Sequence, residues 1–479
     1  MKLYNTLSRS KEPLPSPDQQ KTITLYTCGP TVYDETHIGH MRKYTMDDIL
    51  KRSLKLLGYD VKHVMNITDV GHLTGDDDNG EDKLEKGAKK QGKTVWDVAK
   101  EFEEKFWDTL RALNIDKKDI KIMHATENIQ EMIKLSKILK EKGFTYETDE
   151  ALYFNVAKFS NYGKLSGQKL EDKRQAFRAN VNIDPQKKNP ADFALWFKRV
   201  GRFADHTMYW TSPWGDGFPG WHIECSAMSM KGLEAETIDI HTGGIDHIPV
   251  HHENEIAQSE AVTGKPFVKW WVHHAFLNVD REKMSKSKEN FYTLEDLKKH
   301  KIDPLALRYL FLQTHYRKPM NFTWEAAKGA EEGYNRLRDY YIRIQAIVNN
   351  LLGPEYGSSQ LLEIQNIEKD FLGAFSTYIE DDLNTSKTLS VLWDVIGANL
   401  PEETKKRIIE KFDIVLGFNL KRFDEINLPS RIKQLKDDRD DLRARKEYQK
   451  ADQVKLKLNN LGYFVQDSTL GTIVLPKNK

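Results

Sequence analysis

Cysteine is scarce in this chain: Cys28 and Cys225 are the only two among 479 residues. That excludes a disulfide framework and points to a reducing compartment, with the cytoplasm as the expected location. A dominant charge is missing too, since 73 Lys and Arg against 72 Asp and Glu leave a formal net charge of +1. A basic field over the whole molecule is thereby excluded, and any nucleic-acid surface must be local. No uninterrupted apolar run of about 18 residues occurs, which argues against a membrane span. The opening Met1-Lys-Leu-Tyr-Asn-Thr-Leu soon turns polar and lacks the apolar core of a signal peptide. The composition itself, 39% hydrophobic and 30% charged, is that of a globular chain long enough for two to four domains.

Thr22 to Thr27 is β-branched and aromatic, as a buried strand requires. Cys28-Gly29-Pro30 breaks it, and Gly39 to Leu57 places Met46, Ile49, Leu50, Leu54 and Leu57 roughly on one helix face. Val61 to Ile67 is a second strand. Strand, turn, helix and strand in that order predict an α/β fold with a parallel, Rossmann-like sheet and ligands at the carboxyl ends of its strands. The charged stretch Asp76 to Lys90 reads as a mobile, solvated insertion, Ile129 to Lys142 as a helix, and Tyr146 to Val156 as a hairpin strand. From Tyr162 to Asp205 the chain is polar and irregular, the composition of an inserted module. Sheet signals return at Thr237 to His241 and Phe267 to Val279. After Trp324 long amphipathic helices follow at Tyr334–Leu352, Gln365–Ile379, Thr385–Leu400 and Leu428–Leu461, with no internal repeat.

Two short motifs stand out against this pattern. Pro30-Thr-Val-Tyr-Asp-Glu-Thr-His37-Ile-Gly39-His40 falls where the first strand turns into the first helix. There the free backbone amides and the helix dipole already favour anions. Gly39 permits a close approach to a nucleotide, and His37 and His40 can donate to phosphate oxygens as charge builds on the α-phosphorus. Lys283-Met284-Ser285-Lys286-Ser287 lies 246 residues beyond His37, just past the strand signal Phe276 to Asp280. Flexible ammonium groups there can follow phosphate oxygens that move during a reaction. Together and in this order the two resemble the HIGH and KMSKS signatures of class I aminoacyl-tRNA synthetases. One departure is Lys288-Glu289-Asn290, where that family usually has Leu-Gly-Asn.

The two cysteines sit in equally distinctive company. Cys28 follows the first strand, Cys225 lies in Gly220-Trp221-His222-Ile223-Glu224-Cys225, and His251-His252-Glu253-Asn254-Glu255 opens a helix. His251 and Glu255, four apart, project from one face as two metal ligands can. Two thiolates, an imidazole and a carboxylate could hold a tetrahedral Zn²⁺, although their spacing fits no zinc-finger pattern. Buried inert cysteines and a polar helix start are the alternatives that residues alone leave open. Read with CGPTVYD-x-x-HIGH, GWHIECSAM, H-x-GG-x-D-x-x-x-x-HHENEIAQ and VDREKMSKS, these segments resemble the cysteinyl-tRNA synthetase family over nearly the whole chain.

That resemblance implies zinc on Cys28, Cys225, His251 and Glu255, with His252 a rival for the imidazole position. It implies ATP, accompanied by Mg²⁺, held by His37, Gly39, His40, Gly243, Gly244, Lys283, Ser285, Lys286 and Ser287, with His37, His40, Lys283 and Lys286 catalytic. Gly29, Thr68, Trp221 and Asp246 match positions that line the amino-acid pocket. A thiophilic ion would separate cysteine from serine, which an ordinary pocket does poorly, and no segment suggests an editing domain. The partners expected are ATP, L-cysteine and tRNA-Cys; no membrane is expected, and the chain is expected to be a monomer.

The expected organisation is a Rossmann-like catalytic domain in two halves, 1–125 and 206–270, and an inserted connective module, 126–205. A KMSKS-bearing junction follows at 271–325, then a helical bundle at 326–425. The last part is an anticodon-binding region, 426–479. Between Arg431 and Asn460 ten Lys and Arg against six Asp and Glu make a stripe that could follow an RNA backbone. Ligation of cysteine to an amino sugar is an alternative, and the long helical C-terminus argues against it. A catalytically idle RNA-binding paralogue is another, and the intact motifs argue against that.

Overall fold

Thr22–Thr27 (β1) does form a buried strand, and it is the centre of the molecule's main sheet. With Asp60–Ile67 (β2), Lys121–His124 (β3), Ile238–Gly244 (β4) and Val268–His274 (β5) it makes five strands in the order β5-β4-β1-β2-β3. Every pairing is parallel. The order reverses between β1 and β4, which leaves a crevice above their carboxyl ends. Helices α1 (Ile38–Leu56), α3 (Trp221–Leu233) and α4 (His251–Thr263) bring residues to it, and α2 (Ile129–Glu141) packs against α3 and α4. The computed structural model describes residues 1–71, 73, 82–168, 184–284, 290–350, 358–423, 428–468 and 471–476.

A second sheet, antiparallel, is built from Thr145–Glu147, Ala151–Phe154, Phe193–Lys198, Trp210–Ser212 and Gly215–Pro219. Its middle strand, Phe-Ala-Leu-Trp-Phe-Lys, falls in the stretch expected to be irregular. Buried along nearly its full length, it has no polar face and hence no alternation to betray it. The charged insertion is also corrected: residues 76–81 lie outside those described, but Lys83–Gln91 is a helix capped by Asp82, with Leu84 fully buried.

The chain divides into two compact units. The first holds Met1–Pro304, Thr314–Trp324 and Ile379–Asn384; the second holds Leu305–Gln313, Glu325–Tyr378 and Thr385–Lys479. Within the first, Asp382 is buried and accepts from the Tyr4 amide at 2.8 Å and the Tyr316 hydroxyl at 2.6 Å. The second unit is helical, with nearly all of Trp324–Asn350 and Ser358–Glu380 and the whole of Thr385–Gly397 and Glu402–Leu416. The single helix expected over Leu428–Leu461 is instead two, Ser430–Ala444 and Tyr448–Asn460. They break at Lys446, whose φ is 59°. An antiparallel hairpin, Tyr463–Ser468 with Gly471–Pro476, completes that end. Among the described residues no helix is long and apolar enough to cross a membrane.

Candidate active site

The crevice is walled first by the turn that leaves β1. A Cβ on Gly29 would stand 1.6 Å from the Asn66 carbonyl oxygen, so only glycine fits. The Gly29 amide donates to Asn66 Oδ1 at 2.7 Å, which fixes the orientation of the Asn66 amide. Asn66 Nδ2 then donates to Thr68 Oγ1 at 3.2 Å, and Thr68 donates to Glu224 Oε2 at 2.7 Å. Glu224 is fully buried, and burial pushes its carboxyl well above the usual range.

His37 is the N-cap of α1. Its Nδ1 accepts from the Gly39 and His40 amides at 3.1 and 3.3 Å. An accepting Nδ1 places the proton on Nε2, so the ring keeps one donor. The His40 ring stacks on it with centroids 3.7 Å apart. Burial lowers His37 to about 4. The enclosing wall and His37 push His40 down as well, although the His40 ring is open to the cavity. Both are therefore neutral at pH 7 and act as hydrogen-bond donors rather than cations.

One cavity of about 390 Å³ brings these groups together. His37, Gly39 and His40 line it along α1; Gly29, Thr68 and Trp221 line it beside β1, β2 and α3. Gly244, Asp246 and His251 close the side above β4. Gly243 is not on the wall; it packs beneath, where a Cβ would meet the His252 ring at 2.4 Å. Lys283 lines the cavity from a short hairpin, Leu277–Val279 with Glu282–Lys283. Buried Arg42 secures the approach to that hairpin, donating to the carbonyls of Ala275, Phe276, His315 and Lys318 at 2.8–3.1 Å. Ser285, Lys286 and Ser287 lie outside the described residues.

Beneath the cavity Cys28, His251, His252 and Glu255 each offer a ligand atom within 4.8 Å of the others, all buried. Cys28 Sγ is 3.4 Å from His252 Nε2, and Glu255 Oε1 is 3.0 Å from His251 Nε2 and 3.8 Å from His252 Nε2. Cys225 is not in this set of four. It lines the cavity from α3, and its thiol interacts with that of Cys28. Three of the four expected ligands, Cys28, His251 and Glu255, are thus gathered with His252, and Cys225 stands beside Cys28. Burial would raise the Cys28 thiol, but Cys225, His252 and His241 together bring it well down, toward thiolate. Burial and the Cys28 charge push Cys225 up. Glu255 is held at about 2 against burial by His241 and His251.

A second ring of partners orients these groups. His241 Nε2 is 2.9 Å from Glu255 Oε2, His222 Nδ1 is 2.9 Å from His251 Nδ1, and His252 Nδ1 is 2.8 Å from His273 Nε2. Buttressed imidazoles, two thiols and a buried carboxylate, Glu255, are a donor set that fits a thiophilic divalent metal. Sequence reasoning gave no role to His241, His222, His273, Asn66 and Glu224, although His222, Glu224 and His241 stand inside the segments quoted above. One signal was available: seven of the fifteen histidines fall between His222 and His274.

A parallel sheet in this order, with a neutral histidine pair and a metal-type cluster at its switch point, is the arrangement of a class I synthetase. Residues 15–332 match the family described as tRNA synthetases class I (C) catalytic domain, and the chain belongs to that class. Solved structures agree on the fold. Mycobacterium tuberculosis methionyl-tRNA synthetase in complex with methionyl-adenylate matches with a TM-score of 0.58 at 15% identity, over 84% of this chain and 91% of that one. The Agrobacterium radiobacter LeuRS-tRNA-LeuAMS complex matches with a TM-score of 0.61 at 11% identity, over 85% and 86%. Curated relatives are nearer. Cysteine–tRNA ligase 1 of Burkholderia lata is 41% identical over 98% of this chain and 95% of its own length. Cysteine–tRNA ligase of Treponema denticola is 42% identical over 98% of both. Within the class, the chain belongs to the cysteine–tRNA ligase family.

Proposed function

We propose that this chain activates L-cysteine with ATP, as cysteinyl-adenylate, and transfers it to the 3′ end of tRNA-Cys. The observation that carries this is the sharing of one cavity by a phosphate-type histidine pair and a thiolate-rich metal cluster. Cys28, Cys225, His251 and Glu255 would hold zinc, and the bound ion would take the substrate sulfur as thiolate and reject the hydroxyl of serine. Thr68 supports the amino-acid pocket with an oriented hydroxyl. Its proton is committed to Glu224 and it already accepts from Asn66, so the lone pair it still offers suits a substrate ammonium. Gly29, Trp221 and Asp246 complete that wall. His37 and His40 donate to the phosphates without adding charge, Gly39 and Gly244 keep the backbone low beside the nucleotide, and Gly243 supports it from beneath. Lys283, with Lys286, Ser285 and Ser287, meets the outer phosphates, which arrive with Mg²⁺.

In the first step a carboxylate oxygen of cysteine bonds to the α-phosphorus while the bond to the bridging β-phosphate oxygen breaks. The electron pair leaves with pyrophosphate, and no protein nucleophile is needed. A terminal ribose hydroxyl of the tRNA then attacks the activated carbonyl and releases AMP. The segment 426–479 is assigned to the tRNA, and the chain is read as a cytoplasmic monomer.

The test is charging of a tRNA-Cys transcript with labelled cysteine, beside serine and a chelator. Cysteine-specific, chelator-sensitive charging is expected; equal charging with serine would overturn the reading. Metal analysis separates the two candidate ligand sets. Cys225→Ala should lose zinc and His252→Ala should retain it, and the reverse pattern would transfer the ligand position to His252.

A further inference from the structure

His40 is followed on the same face of α1 by residues that no motif covers. Lys43, one turn on, lines the cavity with its side chain only 13% exposed. Its ammonium donates to the Cys28 carbonyl and pairs with Asp47 Oδ2 at 3.1 Å. It also lies over the Tyr44 ring, 4.3 Å from the centroid. Asp47 is buried in turn and bonded through Oδ1 to His274 Nε2 at 2.8 Å. Lys43, Asp47 and His274 therefore form a chain of polar contacts running from the cavity wall to the end of β5.

The position of Lys43 is informative. It touches the backbone of Cys28, at the edge of the metal cluster, and stands one helical turn from His40, on the phosphate wall. The amino acid is anchored at the first and the α-phosphate at the second, so the atoms that react must meet between them. Both are anions, and their mutual repulsion in a water-poor cavity opposes the approach. The histidine pair is neutral there. Among the described residues lining the cavity, the lysines and arginines are Lys43 and Lys283, and Lys283 sits on the hairpin assigned to the outer phosphates. A largely buried pair such as Lys43–Asp47 contributes little net stability, so stability alone does not account for its charge at this wall.

We propose that Lys43 is a further catalytic residue of the activation step, its ammonium meeting the substrate carboxylate and the α-phosphate as they join, with Asp47 and His274 as the positioning residues that aim it. Three N–H donors face two oxygen partners, so one donor is available to the reacting oxygens. The bond changes are those already given, and Lys43 neither takes nor gives a proton in them.

This rests on the cavity being the site of cysteine activation, and the experiment keeps the two apart. Cysteine-dependent ATP–pyrophosphate exchange, zinc content and melting temperature are measured for wild type, Lys43→Met, Lys43→Arg and Asp47→Asn. Lys43→Met should lose roughly 100-fold in exchange kcat, with full zinc content and a cysteine KM within about threefold of wild type. Lys43→Arg should restore part of the rate, and Asp47→Asn should fall between. Lys43→Met with zinc, fold and exchange rate all near wild type overturns the proposal. So does a loss confined to the cysteine KM. Absence of exchange in the wild type would instead overturn the reading of the cavity. If Lys43→Met does not fold, Lys43→Gln, which keeps a donor for the Cys28 carbonyl, is judged by the same outcomes.

Discussion

His37 caps α1 with one ring nitrogen and keeps the other for the cavity, so protonation disturbs both tasks. Its value in the fold is about 4 against an ordinary 6.5. Between those values the unfolded chain binds the extra proton and the folded chain does not. Stability from this group is therefore complete above pH 6.5 and is lost as the pH falls toward 4. His37→Asn keeps a capping oxygen but cannot titrate. The wild type should lose about 1–2 kcal/mol relative to this variant over that window, after allowance for partial exposure. Denaturant melts at pH 4.5 and 7 measure it, and parallel behaviour of the two proteins would refute the assignment. At this scale the site was largely legible in advance. The spaced motifs carried His37, His40, His251 and Glu255, because a chain turning at a strand end must place its functional groups close in sequence. The roles of His241 and Glu224 were not legible: both stand inside quoted segments, yet only tertiary packing brings them to Glu255 and Thr68.

The opening of α4 shows how completely one element can be used. His251, His252 and Glu255 turn toward the metal-type cluster, while Glu253 turns to the loop at residues 163–166. There its carboxylate accepts from the amides of Gly163, Leu165 and Ser166 at 2.8, 3.2 and 2.9 Å. Beside it Asn254 accepts from the Tyr162 hydroxyl at 2.5 Å. Removing a buried carboxylate that serves three amides is expected to cost on the order of 3 kcal/mol. In Glu253→Ala those three amides should exchange hydrogen rapidly, while zinc content stays near wild type. Unchanged exchange at Gly163, Leu165 and Ser166 would contradict this. Helices were readable from the spacing of their apolar residues, as α1 and α2 show, and β1 from its β-branched composition. Phe193–Lys198 was not, because burial on both faces erases the alternation. The helix break at Lys446 was not readable either, since a left-handed residue of that type leaves no glycine or proline to mark it.

For the molecule as a whole, the two units imply separable tasks. Removal of residues 426–479 should leave cysteine-dependent pyrophosphate exchange near wild type. Charging of tRNA should fall roughly tenfold or more, as backbone contacts are lost. Equal loss of both activities would show that the tail supports the catalytic unit instead. Truncation at Trp324 is a different experiment, because it also deletes Asp382, on which the Tyr4 amide, the Tyr316 hydroxyl and the Arg317 guanidinium converge.

That last contact has a consequence for synthesis. The strand Lys2–Asn5 leaves the ribosome well before its partner Asp382, which is 378 positions behind Tyr4. At about 5–20 residues per second, that strand waits tens of seconds for the segment that completes its packing. Until then the catalytic unit is unfinished on its outer edge, and a chaperone that shields emerging strands would find its natural client there.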